Sequence, residues 1–220
     1  MTPERDIPLV RRSTRNGPVV QFAILGALNL GARRVIAIDD VPERLEMARR
    51  QGAEVIDRSQ VNVIQTLKEM TGGHGPEKVI DAVGIEAHGP TKVLELIDKV
   101  QTALKLETER PIALREAIMA VKAGGVVSIP GVCGGMSNSI PMGALMNKGL
   151  TVRTGQTHVK KYADDLLRRI DEGDIDPTFV ITHTVSLGRG PEMYRMFRDK
   201  QDDCIKVVLK PGMTGSDTVH

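Results

Sequence analysis

Short apolar runs alternate along this chain with longer segments whose apolar positions recur at helical spacing. The runs at 34–39, 54–57, 78–83, 126–132, 150–155, 179–185 and 205–210 predict strands. The segments at 18–30, 42–51, 61–70, 90–109, 111–123, 158–172 and 191–200 predict helices. Local punctuation supports these boundaries. Pro18 suits a first helical position, Gly31 a left-handed helix end, and Glu43 an acid in a first helical turn; Gly52, Gly72-Gly73 and Gly124-Gly125 act as stops.

Strand and helix in alternation mark an α/β protein with a parallel sheet covered by helices. Its strands are near-continuous in apolar character, so both faces of the sheet are buried. The expected architecture is therefore a doubly wound (Rossmann) sheet with right-handed crossovers and its ligand at the carboxyl ends of the strands. The first strand of that order is central and should be apolar. Here Asp6, Ile7, Pro8, Leu9, Val10, Arg11 and Arg12 offer few apolar residues, and Pro8 cannot donate to a ladder. Residues 1–16 are thus expected to be an atypical segment, with the first strand degraded.

Composition narrows the field. With 220 residues the chain fits one large domain, or one domain plus part of another. Hydrophobic residues make up 40% but aromatics only 2%, so aliphatic side chains must build the core. Lys+Arg is 30 against Asp+Glu 28, a balance that argues against a dedicated nucleic-acid or membrane-surface binder. No apolar run approaches the ~18 residues of a membrane span. Cys133 and Cys204 lack CxxC spacing, which fits reduced thiols in a cytoplasmic setting. His74, His88, His158, His183 and His220 show no ligand spacing with them, so no zinc is expected. The small, polar end at 212–220 reads as a disordered tail.

Candidate chemistry centres on dinucleotide binding. A glycine-rich first turn lets backbone approach a pyrophosphate at a helix N-terminus, and an acid ending the second strand accepts hydrogen bonds from the adenosine ribose. Asp39 ends its predicted strand the expected ~20 residues past the third glycine position. An acid there repels a 2′-phosphate, favouring NAD over NADP, and Asp40 adds to that repulsion. Arg44, one turn into the next helix, can reach the same ribose or the adjacent phosphate. The glycine loop, by contrast, is damaged. Its three glycine positions hold Arg15, Gly17 and Val20, so the expected phosphate seat is Gly17, Pro18 and Val19 and the grip on NAD is weak. Val20 is expected to overpack the helix against the sheet. An Asp ending a strand is also a common turn residue or cap, and Arg44 a common solvated helix residue.

Six strings carry a resemblance further: VIAIDDVPERLEMAR, VIDAVGIEAHG, ALKLETERPIALREAI, VSIPGVCGG, LTVRTGQTHV and MYRMFRDKQDDCIKVVLKP. From Gln21 to Pro211 the chain resembles the C-terminal part of the zinc-type, medium-chain alcohol dehydrogenases, and within them most the glutathione-independent formaldehyde dehydrogenases. The resemblance implies that Asp39 and Arg44 hold the adenosine ribose of NAD. It implies that Val83, Val132, Thr154 and Gly155 lie on the nicotinamide side, and that residues 104–111 cover the adenine. Gly84, Pro130 and Gly131 fall in loop segments at the ends of later strands, where the nicotinamide half would rest; the alternative for these segments is ordinary strand-end turns. It implies pairing of two copies through the edge strand 150–155. The family holds its zinc in a catalytic domain that precedes the glycine loop, where this chain has only its short charged start.

The expected organisation is an atypical segment 1–16, a dinucleotide-binding domain 17–155, a C-terminal remnant of a catalytic domain 156–211, and the tail. The leading functional expectation is a truncated NAD-dependent alcohol or formaldehyde dehydrogenase, inactive alone. The alternative is a non-catalytic nucleotide-binding or dimerising module. A methyltransferase would also use an acid after its second strand, but the C-terminal string 193–211 disfavours it.

Overall fold

The computed structural model describes residues 8–11, 17–82, 113–130, 140–155, 157–199, 201–202 and 204–213. The chain divides into two compact units, Met1–Gln156 and Thr157–His220.

In the first unit the described elements run β1 (Pro8–Arg11), α1 (Gly17–Asn29), β2 (Ile36–Asp39), α2 (Pro42–Arg50), β3 (Glu54–Asp57), α3 (Val63–Met70), β4 (Lys78–Asp81), α4 (113–120), β5 (Val126–Ile129), α5 (Met142–Asn147) and β6 (Thr151–Thr154). The six strands form one parallel sheet in the order β3-β2-β1-β4-β5-β6. That is the Rossmann order, with the direction of winding reversing between β1 and β4.

β2 explains why both sides of the sheet are covered. All four of its residues are buried. Successive side chains point to opposite faces. Ile36 and Ile38 join Ile56, Val63, Leu67, Val79, Ile118, Val121 and Val127 in one core. Val35 and Ala37 join Val20, Ile24, Ala48, Ala53 and Ala82 in the other. The first core is roofed by α3 and α4, the second by α1 and α2.

The first strand, expected to be degraded, forms: Pro8–Arg11 occupies the centre of the sheet, paired with both β2 and β4. Pro8 is its first residue, the position in a strand where a missing N–H is tolerated. Val20, expected to overpack, is 4% exposed in a cluster with the small residues Ala37, Ala48, Ala53 and Ala82.

Tight joints hold the other layer. Gly75 has a φ of +84°, and a Cβ there would overlap the carbonyl of Ala120. Lys148 donates from Nζ to the carbonyls of Ile118 (3.1 Å), Met119 (2.8 Å) and Val121 (2.9 Å), so its ammonium closes the C-terminal end of α4. Burial holds the Lys148 amine below its usual pKa.

The second unit contains α6 (Val159–Asp171), a 3₁₀ turn (Pro177–Val180), β7 (His183–Ser186), a short 3₁₀ turn (Leu187–Arg189), α7 (Gly190–Asp199) and β8 (Val207–Lys210). β7 and β8 pair in parallel. The strand expected from 179 begins later. Asp176 Oδ1 accepts from the Thr178 N–H (2.8 Å) and hydroxyl (2.6 Å), and Pro177 presets the turn, so this stretch is helical before it is extended. No helix among the described residues is long and apolar enough to cross a membrane.

Candidate dinucleotide site

Because all six strands of the first unit are parallel, their carboxyl ends share one edge of the sheet. The predicted site residues within the described segments collect along it. Gly17 is the first residue of α1 and Pro18 the second, with Val19 half exposed beside them. Asp39 ends β2, and Pro130 follows β5. Thr154 ends β6, its hydroxyl 3.4 Å from the Ile129 carbonyl oxygen, and Gly155 follows with a φ of +149°. Val83, Gly84, Gly131 and Val132 lie outside the described residues, as do Arg15, His88, Cys133 and the 104–111 segment.

Asp39 is 6% exposed. Its Oδ1 accepts from the N–H groups of Asp40 (2.8 Å) and Val41 (3.1 Å), so the carboxylate also stitches the turn that leads into α2. The turn role weighed for this residue is thus realised, at a fixed place on the strand end. Arg44 is 8% exposed in the first turn of α2, its N–H on the Val41 carbonyl at 3.1 Å. Arg44 is therefore buried rather than solvated.

Three features of this edge were not singled out in the sequence. Gln21, buried in the second turn of α1, donates to the Arg44 carbonyl (3.1 Å) and accepts from Gln51 Nε2 (2.5 Å). This amide bridge fixes the start of α1 against α2, and a glutamine amid apolar helix positions was its only signal. Asp57 ends β3 in register with Asp39. Its carboxyl accepts from the Ser59 hydroxyl and N–H, which hold it below its usual pKa. Arg58 then reaches back across the strands: its N–H donates to the Asp39 carbonyl (3.1 Å) and its Nε to Asp40 Oδ2 (3.2 Å).

Residues 18–91 match the zinc-binding dehydrogenase family model. That match starts at the α1 N-terminus and takes in Asp39 and Arg44. The chain is homologous to the coenzyme-binding part of the zinc-type alcohol dehydrogenases. A zinc-type alcohol dehydrogenase-like protein of Bacillus subtilis is 40% identical, over 89% of this chain and 50% of the relative. Formaldehyde dismutase of Pseudomonas putida is 30% identical, over 90% of this chain and 50% of its own length. Among solved structures, an alcohol dehydrogenase from Thermus sp. ATN1 superposes with a TM-score of 0.74 at 29% identity, covering 94% of this chain and 53% of that one. The chain spans about half the length of the curated relatives it matches.

Among the described residues no three or more His, Cys, Asp or Glu side chains are grouped to hold a metal ion. His183 in the second unit is buried against Thr182 Oγ1 (3.0 Å) and Asp202 Oδ2 (3.2 Å), a local hydrogen-bonded cluster.

Proposed function

We propose that the chain binds NAD(H) along the carboxyl edge of its six-stranded sheet, as the coenzyme-seating half of an alcohol or formaldehyde dehydrogenase of the zinc type. The observation that carries this reading is Asp39: a carboxylate held at the end of β2, 6% exposed, with Arg44 buried one helical turn away. Asp39 accepts from the adenosine ribose hydroxyls, and Arg44 supports the same ribose or the neighbouring phosphate. Gly17, Pro18 and Val19 receive the pyrophosphate at the start of α1, where a helix end offers free N–H groups and a positive dipole. Val83, Gly84, Pro130, Gly131, Val132, Thr154 and Gly155 line the nicotinamide half. The bound nicotinamide supplies a hydride acceptor. The residues of this chain orient it and exclude water beside it.

In this reading the domain bearing the coenzyme is 17–155, and the location is cytoplasmic, in keeping with two cysteines lacking CxxC spacing. Titration with NADH, followed by its fluorescence, tests the proposal. Binding that falls at least tenfold on Asp39→Ala supports it, and no NADH binding by the folded chain sinks it. S-adenosylmethionine is the control ligand and is expected not to bind.

A second reading, a module that pairs two copies, draws on β6. It is the edge strand of the sheet and all four of its residues are exposed. Pairing would use the open side of β6, whose last residue Thr154 also belongs to the proposed nicotinamide half, while Asp39 and Arg44 lie on β2 and α2 away from that edge.

A further inference from the structure

We infer that Asp40 and Arg58 form a latch that sets coenzyme choice, a deepening of the NAD(H) reading above. Counted along the sequence, Asp39 and Asp40 are two adjacent acids that both repel a 2′-phosphate. The folded chain changes that count. Asp40 Oδ2 accepts from Arg58 Nε at 3.2 Å, with the two side chains 26% and 22% exposed. A half-buried pair of this kind is screened less than a surface one. Its cation therefore offsets the charge of Asp40 locally.

Arg58 is fixed in this place by the sheet itself. β2 and β3 run parallel with Asp39 opposite Asp57. The next N–H on β3, that of Arg58, donates to the Asp39 carbonyl at 3.1 Å and carries the ladder one residue further. Asp57 Oδ1 is turned onto the Ser59 N–H (2.9 Å) and hydroxyl (2.6 Å), within its own turn. The guanidinium is thus anchored beside the ribose acid by backbone and side chain together.

A guanidinium is the side chain best matched to a phosphate, through planar, charge-assisted hydrogen bonds. In this chain it is committed to Asp40. While the pair holds, the ribose edge presents Asp39 to the 2′-hydroxyl and keeps the Arg58 guanidinium on Asp40 rather than on a 2′-phosphate. Neutralising Asp40 removes one repelling charge and releases Arg58 toward that phosphate in the same step. Asp40 and Arg58 are therefore specificity-determining residues alongside Asp39.

The test measures NADH and NADPH affinity by fluorescence titration for the wild-type chain, Asp40→Asn, Arg58→Gln and the double variant, each checked for folding by circular dichroism. The wild-type chain is expected to prefer NADH. Asp40→Asn is expected to raise NADPH affinity at least tenfold with NADH changed less than threefold, and the added Arg58→Gln to remove that gain. Arg58→Gln alone exposes Asp40 and is expected to weaken NADPH at least threefold while sparing NADH; it carries the test with opposite sign should Asp40→Asn not fold. A purely structural pair would move both coenzymes together, which would overturn the latch while leaving the NAD(H) reading intact. An unchanged NADH-to-NADPH ratio in both single variants would overturn it as well. Folded proteins that bind neither coenzyme would overturn the reading and the latch with it.

Discussion

Arg34 grips Glu54 at two points, Nε to Oε1 at 2.6 Å and Nη2 to Oε2 at 2.8 Å, and gives its remaining Nη1 to the Met70 carbonyl at 2.9 Å. One guanidinium thereby joins the entry to β2, the first residue of β3 and the end of α3. The hydrogen bonds from Arg34 hold the Glu54 carboxyl below its ordinary value of 4.5. A carboxyl lowered on folding contributes stability that is fully present above that value and is lost as the pH falls through its folded pKa. Both side chains are more than a third exposed, so solvent limits the contribution to about 1 kcal/mol or less. Glu54→Gln is expected to lower stability by that amount at pH 7, with the gap closing below pH 4.5. Urea unfolding of both proteins across that range measures it. A gap that stays constant with pH would mean that the pair acts through packing rather than charge.

Restoring a glycine at position 20, which the sequence invites, is expected to harm the protein. Val20 is 4% exposed in a core with Ile24, Val35 and several alanines. Val20→Gly deletes a buried branched side chain and places glycine inside a helix, together costing on the order of 3 kcal/mol. Denaturant unfolding reads this directly. NADH affinity of the folded fraction is expected not to improve, because the side chain lies in the core with Ile24 and Val35. A variant as stable as wild type would mean that the helix settles onto the sheet without a void.

Gly75 makes the opposite case. Its N–H donates to Thr71 Oγ1 at 2.9 Å, its φ is +84°, and the Ala120 carbonyl fills the place of a Cβ. Gly75→Ala combines left-handed strain of about 1 kcal/mol with a backbone clash, and is expected to cost more than Gly52→Ala, where the same kind of φ meets open space. Comparing the two thermal midpoints tests the difference. Equal losses would show that strain alone matters and that α4 moves aside freely.

The sheet was legible where side-chain period and stop residues agree. β3 falls at the predicted 54–57, and β2 ends at the predicted Asp39, because an apolar run there is closed by an acid and a helix-starting proline. β1 was underestimated for the same reason: four residues of a parallel strand are fixed by neighbours on both sides, and no local pattern announces that support. Phe179 and Val180, read as the start of a strand, complete the Pro177–Val180 turn, which Asp176-Pro177-Thr178 sets with a cap and a preset φ. The short α5 was missed altogether, since its Pro141 start lacks a side-chain cap. At the site, the position of Asp39 was readable from spacing to the helix before it. The Asp40–Arg58 pair was not, because it depends on strand register, which places residues far apart in sequence side by side.

Edge pairing of two copies through β6 is expected if the second reading of the chain holds. Its residues Thr151, Val152, Arg153 and Thr154 are all exposed, with Val152 43% exposed, and among the described residues only the β5 side of the strand is paired. An unpaired edge of this kind offers a row of N–H and C=O groups to another strand. β6 is short and carries Arg153, which limits open-ended addition of further strands and favours a closed two-fold pair. Val152→Asp puts like charges close together across such a two-fold, so it is expected to shift a wild-type dimer to monomer in sedimentation velocity. Its circular dichroism should match wild type, because the side chain does not contribute to either core of the sheet. A wild-type chain that sediments as a monomer over the micromolar range, or a Val152→Asp dimer as tight as the parent, would remove β6 as the pairing edge.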